Sequence, residues 1–466
     1  MISVEVPQSY EPERRYILAI IFCELLGLEL NVKLSDRVDT LITIDGENEL
    51  IVADKLFSTP LNYWLSLQSL PFQPLEVWDV STIQISPTLV DPKIPIIYGS
   101  KSSSENFFKI VENKIFLGLD IFGSTFFMLT RLEEAIRKSA DQFSRFPAKA
   151  SLAYQENFID RPIVDEYVEI LWACLQQLWP KLKRKPRNFK MHVSHDVDKP
   201  YQYIFTNVQK LIHNAVGDIV KRNNLRQSLY RVRDWTYVKY FGHMRDAFNT
   251  FEWLMTLNES YGLTGAFYFI ADHTDSDKDG DYCIQHPLIR SLLRQIYQRG
   301  HEIGLHPSFN TYLDPSQTLH EFEVLRKVCS EENIQQEYWG GRQHYLRWQT
   351  PHTFQNCFDA GLSYDSTLGF ADWPGFRCGT CYEYSVFNLV TRQALNLVER
   401  PLIVMECTVL DNRYMGLSRN IEEAYNYICA LKNTCRLFNG DFNLLWHNHR
   451  FKDLIERDLY QQILAA

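Results

Sequence analysis

Four short clusters in this chain carry side chains that can do acid–base and metal chemistry. The first is Ser194-His195-Asp196-Val197-Asp198, which follows the apolar-tinged run 189–193. Carboxylates two residues apart in an extended stretch point the same way, so Asp196 and Asp198 can face one pocket. Side by side they repel unless a cation or a shared proton relieves them. With a metal present, one can bind the ion while the other handles a proton. The second cluster, Gly300-His301-Glu302-Ile303-Gly304-Leu305-His306, ends at His306 where Pro307 breaks the strand. His301 and His306 lie an odd number of residues apart and face opposite sides of a regular strand, so His301 reads as a core histidine and His306 as a candidate ligand. The third, Arg342-Gln343-His344-Tyr345, follows two glycines that permit close backbone approach. An arginine beside a carboxylate lowers its pKa and fixes its orientation. The fourth is Leu445-Trp446-His447. A histidine at a strand end suits general acid work near neutral pH.

Those residues need a scaffold that brings strand ends together. From Asn188 onward the pattern alternates: strands are expected at 189–193, 265–270, 301–305, 403–407 and 442–446, and helices at 248–261, 288–298, 318–331 and 454–464. Repeated β-α units of this kind predict a parallel barrel or a doubly wound sheet. In a β/α barrel the site lies at the C-terminal strand ends, where each cluster falls. A mostly helical, polar insertion interrupts the pattern at 200–245. Residues 1–150 read as a smaller α/β domain of unknown role. Its strands are expected at 40–44, 49–53, 94–98 and 114–119, and its helices at 14–26 and at 125–138, with Ser124 as N-cap. Residues 151–187 form a bridge: a helix at 165–178 stopped by Pro180, then the basic run 181–187, read as a solvated linker.

A chain of 466 residues exceeds one ordinary core, and two domains are expected, the second at 188–466. The formal charge of −9 argues against a general nucleic-acid binder. Ten cysteines are scattered rather than grouped, which suits a reducing compartment. Cys378 and Cys381 have a zinc-like spacing but lack a convincing second pair. The apolar run 16–30 contains Glu24 and Glu29 and reads as a buried element, neither signal peptide nor membrane span. A cytoplasmic location is therefore expected.

In order and chemistry the four clusters resemble the motifs of the polysaccharide deacetylase family, carbohydrate esterase family 4. The resemblance spans roughly residues 188–450 and is nearest to cytoplasmic members with an added N-terminal domain. It implies a distorted (β/α) barrel preceded by the smaller α/β domain. It also implies a divalent metal, zinc by preference, and an amino sugar or polysaccharide as substrate. The family's D-x-D variant carries the base role to Asp196 and the metal role to Asp198. Its H-S/T-x-x-H motif falls on His306-Pro307-Ser308-Phe309-Asn310, so His306 is a ligand and Asn310 stands where the second histidine belongs. An amide oxygen binds transition metals more weakly than imidazole, and His195 or His344 could compensate. The R-x-P-Y motif falls on Arg342 to Tyr345, making Arg342 the residue that orients the base and the Tyr345 N–H an oxyanion donor. Trp446 is grouped with Tyr345 as a substrate or oxyanion contact. An Asp near a tryptophan should support the catalytic histidine; Asp365 and Asp372 both qualify. His447 becomes the acid. The implied activity is metal-dependent removal of N-acetyl groups. The alternatives are a non-catalytic carbohydrate-binding or scaffold protein on a decayed barrel, and a hydrolase of another C–N bond.

Overall fold

The computed structural model of the protein describes residues 1–44, 46–101 and 106–466. The first sheet contains β1 (Ile2–Pro7), β2 (Leu30–Ser35), β3 (Thr40–Thr43) and β4 (Glu49–Val52). A separate antiparallel ribbon pairs β5 (Glu76–Asp79) with β6 (Lys93–Ile96). β7 (Phe108–Val111) and β8 (Lys114–Leu117) then complete the first sheet, in the order β2-β1-β3-β4-β8-β7. Strand alternation is visible in β1, where Ile2, Val4 and Val6 are buried and the residues between them are half-exposed.

The helix expected at 14–26 is α-helical over Glu11–Leu18 and continues as a wider π-helical stretch, Ala19–Leu25. The one expected at 125–138 divides into Ile121–Leu129 and Leu132–Ile136, with Arg131 at φ 53° between them. Its cap is Asp120 rather than Ser124: the Asp120 carboxylate accepts from the Gly123 N–H at 2.8 Å. Ser124 lies inside the helix, and its hydroxyl accepts from the Tyr98 N–H.

The second sheet holds nine strands: β9 (Lys190–Val197), β10 (Gly265–Phe269), β11 (Glu302–Leu305), β12 (Gly340–Gly341), β13 (Tyr364–Asp365), β14 (Tyr384–Asn388), β15 (Gln393–Glu399), β16 (Val404–Met405) and β17 (Asp441–Leu445). Their order is β14-β15-β13-β12-β11-β10-β9-β17-β16, and every pair is parallel except β14 on β15. This is nearly the cyclic order of a β/α barrel, but the sheet is not closed among the described residues. β15 is already paired on both edges, to β13 and to the antiparallel β14, so no edge remains for β16. The segment expected as a strand at 403–407 therefore gives only two strand residues before the helix Glu406–Leu410 begins.

Helices Phe251–Ser260, Pro287–Gln298, Pro315–Glu331 and His352–Ala360 alternate with the central strands. Pro287–Gln298 buries Ile289, Leu292, Leu293 and Ile296, the three-and-four spacing of one helix face. The insertion is a helical hairpin, Val208–Val220 and Leu225–Phe241. One continuous set of buried apolar side chains runs through both sheets, from Val4 and Phe126 to Phe267 and Leu444. Polar contacts tie the N-terminal part to the edge strands of the second sheet. The Tyr16 hydroxyl donates to the Ser385 carbonyl at 2.7 Å, and Arg392 pairs with the buried Glu13 at 2.6 Å. All ten cysteines are free. No helix among the described residues is long and apolar enough to cross a membrane.

Candidate metal centre and active site

β9 carries Asp196 near its C-terminal end and releases the chain at Asp198. Arg342 follows β12, and its N–H extends the ladder by donating to the Leu305 carbonyl at 3.0 Å. Its side chain is buried but fully engaged. Nη1 donates to Asp196 Oδ1 at 2.9 Å and to Ser194 Oγ at 2.8 Å; Nε donates to the Ser366 carbonyl and Nη2 to the Ser366 hydroxyl. Burial alone would lower the guanidinium pKa, but the charge and hydrogen bond of Asp196 together with Tyr268 and Tyr364 raise it more, and the net direction is upward. A buried, permanently charged donor thus fixes one oxygen of Asp196. The other, Oδ2, lies 3.8 Å from His306 Nε2.

Three residues converge beside this pair. Asp198, His306 and His344 each offer one ligand atom, all within 4.8 Å of one another. His306 ends β11, its N–H donating to the Phe269 carbonyl at 2.8 Å. Its ring Nδ1 donates to the Arg342 carbonyl, leaving Nε2 at 3.3 Å from Asp198 Oδ1. His344 is held the same way: Nδ1 bonds Asp279 Oδ1 at 2.9 Å, and Nε2 lies 3.6 Å from Asp198 Oδ1. Asp279 also accepts the N–H groups of Phe309 and Thr274. Its neighbour Gly280 packs so closely that a Cβ there would lie 2.1 Å from the Asp198 carbonyl oxygen.

This set fits a divalent ion. A histidine whose Nδ1 is anchored to a carbonyl or carboxylate presents Nε2 in one fixed orientation, the usual support of metal-binding imidazoles. Asp198 Oδ1 is buried without a hydrogen-bond partner of good geometry among the described residues. Burial raises the Asp198 pKa, but His344, the His306 bond and His447 lower it more, and the carboxyl is held well below the usual range. Two imidazoles and a carboxylate suit zinc and its borderline neighbours.

His447 follows β17. Its Nδ1 lies 2.6 Å from Glu406 Oε1, which also accepts the His447 N–H at 3.2 Å; Nε2 lies 3.6 Å from Asp198 Oδ2. Burial lowers the imidazole pKa, but Glu406 and then Cys407 raise it more, leaving it well above the ordinary 6.5. In turn Glu406, disfavoured by burial, is pulled down to about 2 by His447. Glu406 is the acidic support that sequence reasoning sought elsewhere. Asp365 is buried against Thr367, and Asp372 accepts the Ala148 N–H. The missed signal was Glu406 at the end of the short apolar run 402–405, in barrel order just before β17.

Two expected site residues are corrected. Asn310 does not join the metal cluster: its Oδ1 accepts from Arg347 at 3.2 Å and its Nδ2 donates to the Thr274 carbonyl, on the exposed side of the loop. His344, two residues beyond Arg342, joins Asp198 and His306 in the cluster instead. Trp446 does not face the cavity. It is wholly buried, its ring stacked on Phe451 at 5.7 Å and edge-on to Tyr460, because β17 alternates and turns it to the helix side. His195 is also turned inward, with Nδ1 on the Trp446 carbonyl and Nε2 on Asn258; burial pushes it down to about 4.

Tyr345 and Leu346 have φ of 61° and 55°, two left-handed non-glycine residues in succession. Such strain costs about 1–3 kcal/mol per residue and persists where surroundings over-determine it. Here Arg145 Nη1 grips the Tyr345 carbonyl at 3.0 Å while its Nη2 meets Asp141 at 2.7 Å. A residue of the N-terminal part thus shapes the cavity, which sequence reasoning had confined to 188–466. That cavity, of about 440 Å³, is lined by Asp196, Asp198, His306, His344, Tyr345 and His447, with Phe248, Arg145 and Tyr414 among its walls.

Residues 2–180 match a family described as a family of unknown function, DUF7033. A search of curated proteins finds no match to the chain. Among solved structures, the chain is similar to a candidate polysaccharide deacetylase from Mycobacterium smegmatis, at 16% identity and a TM-score of 0.38. The match covers 60% of this chain and 84% of that one. It is similar to Puue allantoinase at 11% identity and a TM-score of 0.37, over 60% and 84% of the two chains. It is also similar to a probable polysaccharide deacetylase from Pseudomonas aeruginosa PAO1, at 12% identity and a TM-score of 0.35, again over 60% and 84%.

Proposed function

We propose that this chain is a metal-dependent hydrolase that removes the N-acetyl group of an amino sugar or its polymer. The observation that carries this is the meeting, in one cavity, of three separately supported units: the Asp198-His306-His344 set, the Asp196-Arg342 pair and the Glu406-His447 pair. Acid, base and metal-binding groups held apart by different partners are what metal-assisted hydrolysis of an amide uses.

Asp198, His306 and His344 would hold the ion. When bound, it would supply Lewis acidity toward the acyl carbonyl and lower the pKa of water. Asp196, with one oxygen fixed by Arg342, has its other oxygen for the proton of the attacking water. His447, protonated and aligned by Glu406, would deliver a proton to the departing nitrogen. The Tyr345 N–H would donate to the developing oxyanion. Phe248, Tyr345 and Tyr414 give the cavity aromatic surface on which a sugar ring could rest. Asn310, whose amide stands where the motif has its second histidine, lies outside the cluster. In this proposal the enzyme works on a carbohydrate in a reducing compartment, without nucleic acid.

Metal content by mass spectrometry, read beside acetate release from N-acetylated oligosaccharides on the same preparations, tests the proposal. The expected result is about one divalent ion per chain, lost in Asp198→Ala and His344→Ala and retained in Asn310→Ala. Ammonia or another amine released without acetate would redirect the assignment to a different C–N bond. Protein that stays metal-free under excess zinc, cobalt, nickel and manganese would refute it.

A further inference from the structure

The helical hairpin Val208–Phe241 is unlike the rest of the surface. Among the described residues, thirteen of the thirty-one exposed large apolar side chains lie between Val208 and Met244. They are not scattered. Val208, Ile212, Val216 and Ile219 repeat at four and three residues along the first helix, and Leu225, Leu229, Val232 and Tyr240 follow the same rhythm on the second. Each helix therefore presents an apolar stripe to solvent while a different face packs on its partner: Leu211, Ala215 and Asp218 of the first helix are buried. Buried Asp218 locks the two helices together through Arg222 and Arg231, each at 2.6 Å.

The same segment is strongly basic. Residues 208–245 contain eight Lys and Arg and two Asp, so eight minus two gives a formal +6 within a chain of −9. Neither core packing nor the cavity explains apolar stripes flanked by cations. A second copy of the same face would bring +6 against +6. Aliphatic and tyrosine side chains in stripes with lysine and arginine beside them instead match the interface of a bilayer whose headgroups are anionic.

We propose that this hairpin docks on an anionic membrane surface, its apolar stripes entering the headgroup boundary and its Lys and Arg pairing with lipid phosphates and carboxylates. The hairpin does not span the bilayer. Its insertion begins and ends at the active-site cavity, since Lys199 and Phe248 line it, so docking would bring that cavity beside the surface. The proposal stands apart from the hydrolase assignment.

Flotation of the full chain with phosphatidylcholine vesicles, with and without phosphatidylglycerol, tests it. Binding should be at least about tenfold tighter to the anionic vesicles and should weaken with salt. Ile212→Ser with Leu229→Ser and Tyr240→Ser should lower it about tenfold or more, as should Lys221→Glu with Arg226→Glu. Unchanged thermal unfolding and metal content would show that these variants fold. Failure to float with either vesicle overturns the proposal, as does binding that ignores both sets of changes. Loss on charge reversal but not on apolar replacement would mean an acidic partner without insertion, and would also overturn it. So would an apolar variant that turns a dimer into a monomer while wild-type protein ignores vesicles.

Discussion

Both sheets bury carboxylates, and they use them differently. In the N-terminal sheet Asp120 is wholly enclosed, and burial and Asp54 push its pKa up to about 7, yet every oxygen is spoken for. The Lys55 and Leu56 N–H groups donate to Oδ2, and the Gly123 N–H to Oδ1. Asp54 in turn is paired with Arg14 at 2.6 Å. In the second sheet Asp198 is ringed by three imidazoles, is held well below the usual carboxylate range, and keeps a buried oxygen with no good hydrogen bond among the described residues. A buried charge saturated by backbone donors is structural. One that is oriented but left with an open oxygen is ready for a ligand.

The largest effect should come from the open side. Asp196→Asn keeps the shape and an oxygen for Arg342 but removes the base, and should lower acetate release about 10²–10⁴-fold; it also leaves the buried Arg342 without its counter-charge, so the melting temperature should fall while metal content is retained. Activity within a few-fold of wild type would remove Asp196 from the chemistry. On the closed side the order of effects reverses. Asp120→Ala strands three backbone N–H groups and should destabilise the chain by about 2–3 kcal/mol, while leaving metal content intact. Asp120→Asn retains accepting oxygen and should lose less. Chemical denaturation that finds the two Asp120 variants equal would show that the carboxylate caps nothing of consequence.

Only the open side of this contrast was legible from residue types; the buried Asp54 and Asp120 carry no local signal. The clusters at 194–198, 306 and 342–345 sit at strand ends because apolar runs precede them, and strand ends are where polar groups can gather. Four points were not settled by residue types. His195 and His344 were both open as replacements for Asn310, and the choice of His344 depends on how the loop after β12 folds back, through left-handed Tyr345 and Leu346, which short loops encode poorly. Trp446 sits next to His447 in sequence, but strand alternation sends neighbours to opposite faces, a rule that could have been applied. The open seam of the sheet follows from the antiparallel β14, whose pairing is a long-range choice no local pattern announces. The N-terminal part was read as separate, yet Arg145 reaches the Tyr345 carbonyl across two hundred residues of chain.

A smaller effect should come from the Glu406-His447 pair, and pH reveals it. Glu406 holds the imidazole pKa well above 6.5 despite burial, so the proton-donating form persists past neutrality and is lost as pH rises through that raised value. Glu406→Gln removes the charge but can keep a hydrogen bond. The His447 pKa must then fall, and the alkaline limb of acetate release should move to lower pH, with about tenfold less activity at its optimum. The same linkage governs stability. The contribution of charged His447 is complete below 6.5 and fades as pH rises through the raised value. That of Glu406 is present above its ordinary 4.5 and fades as pH falls toward about 2. The melting-temperature gap between wild type and Glu406→Gln should therefore be widest in the weakly acidic range and narrow toward both extremes. A pH–rate profile whose alkaline limb stays in place would mean that Glu406 positions the ring without tuning it, in contrast to Arg342, whose charge is paired directly with the base Asp196.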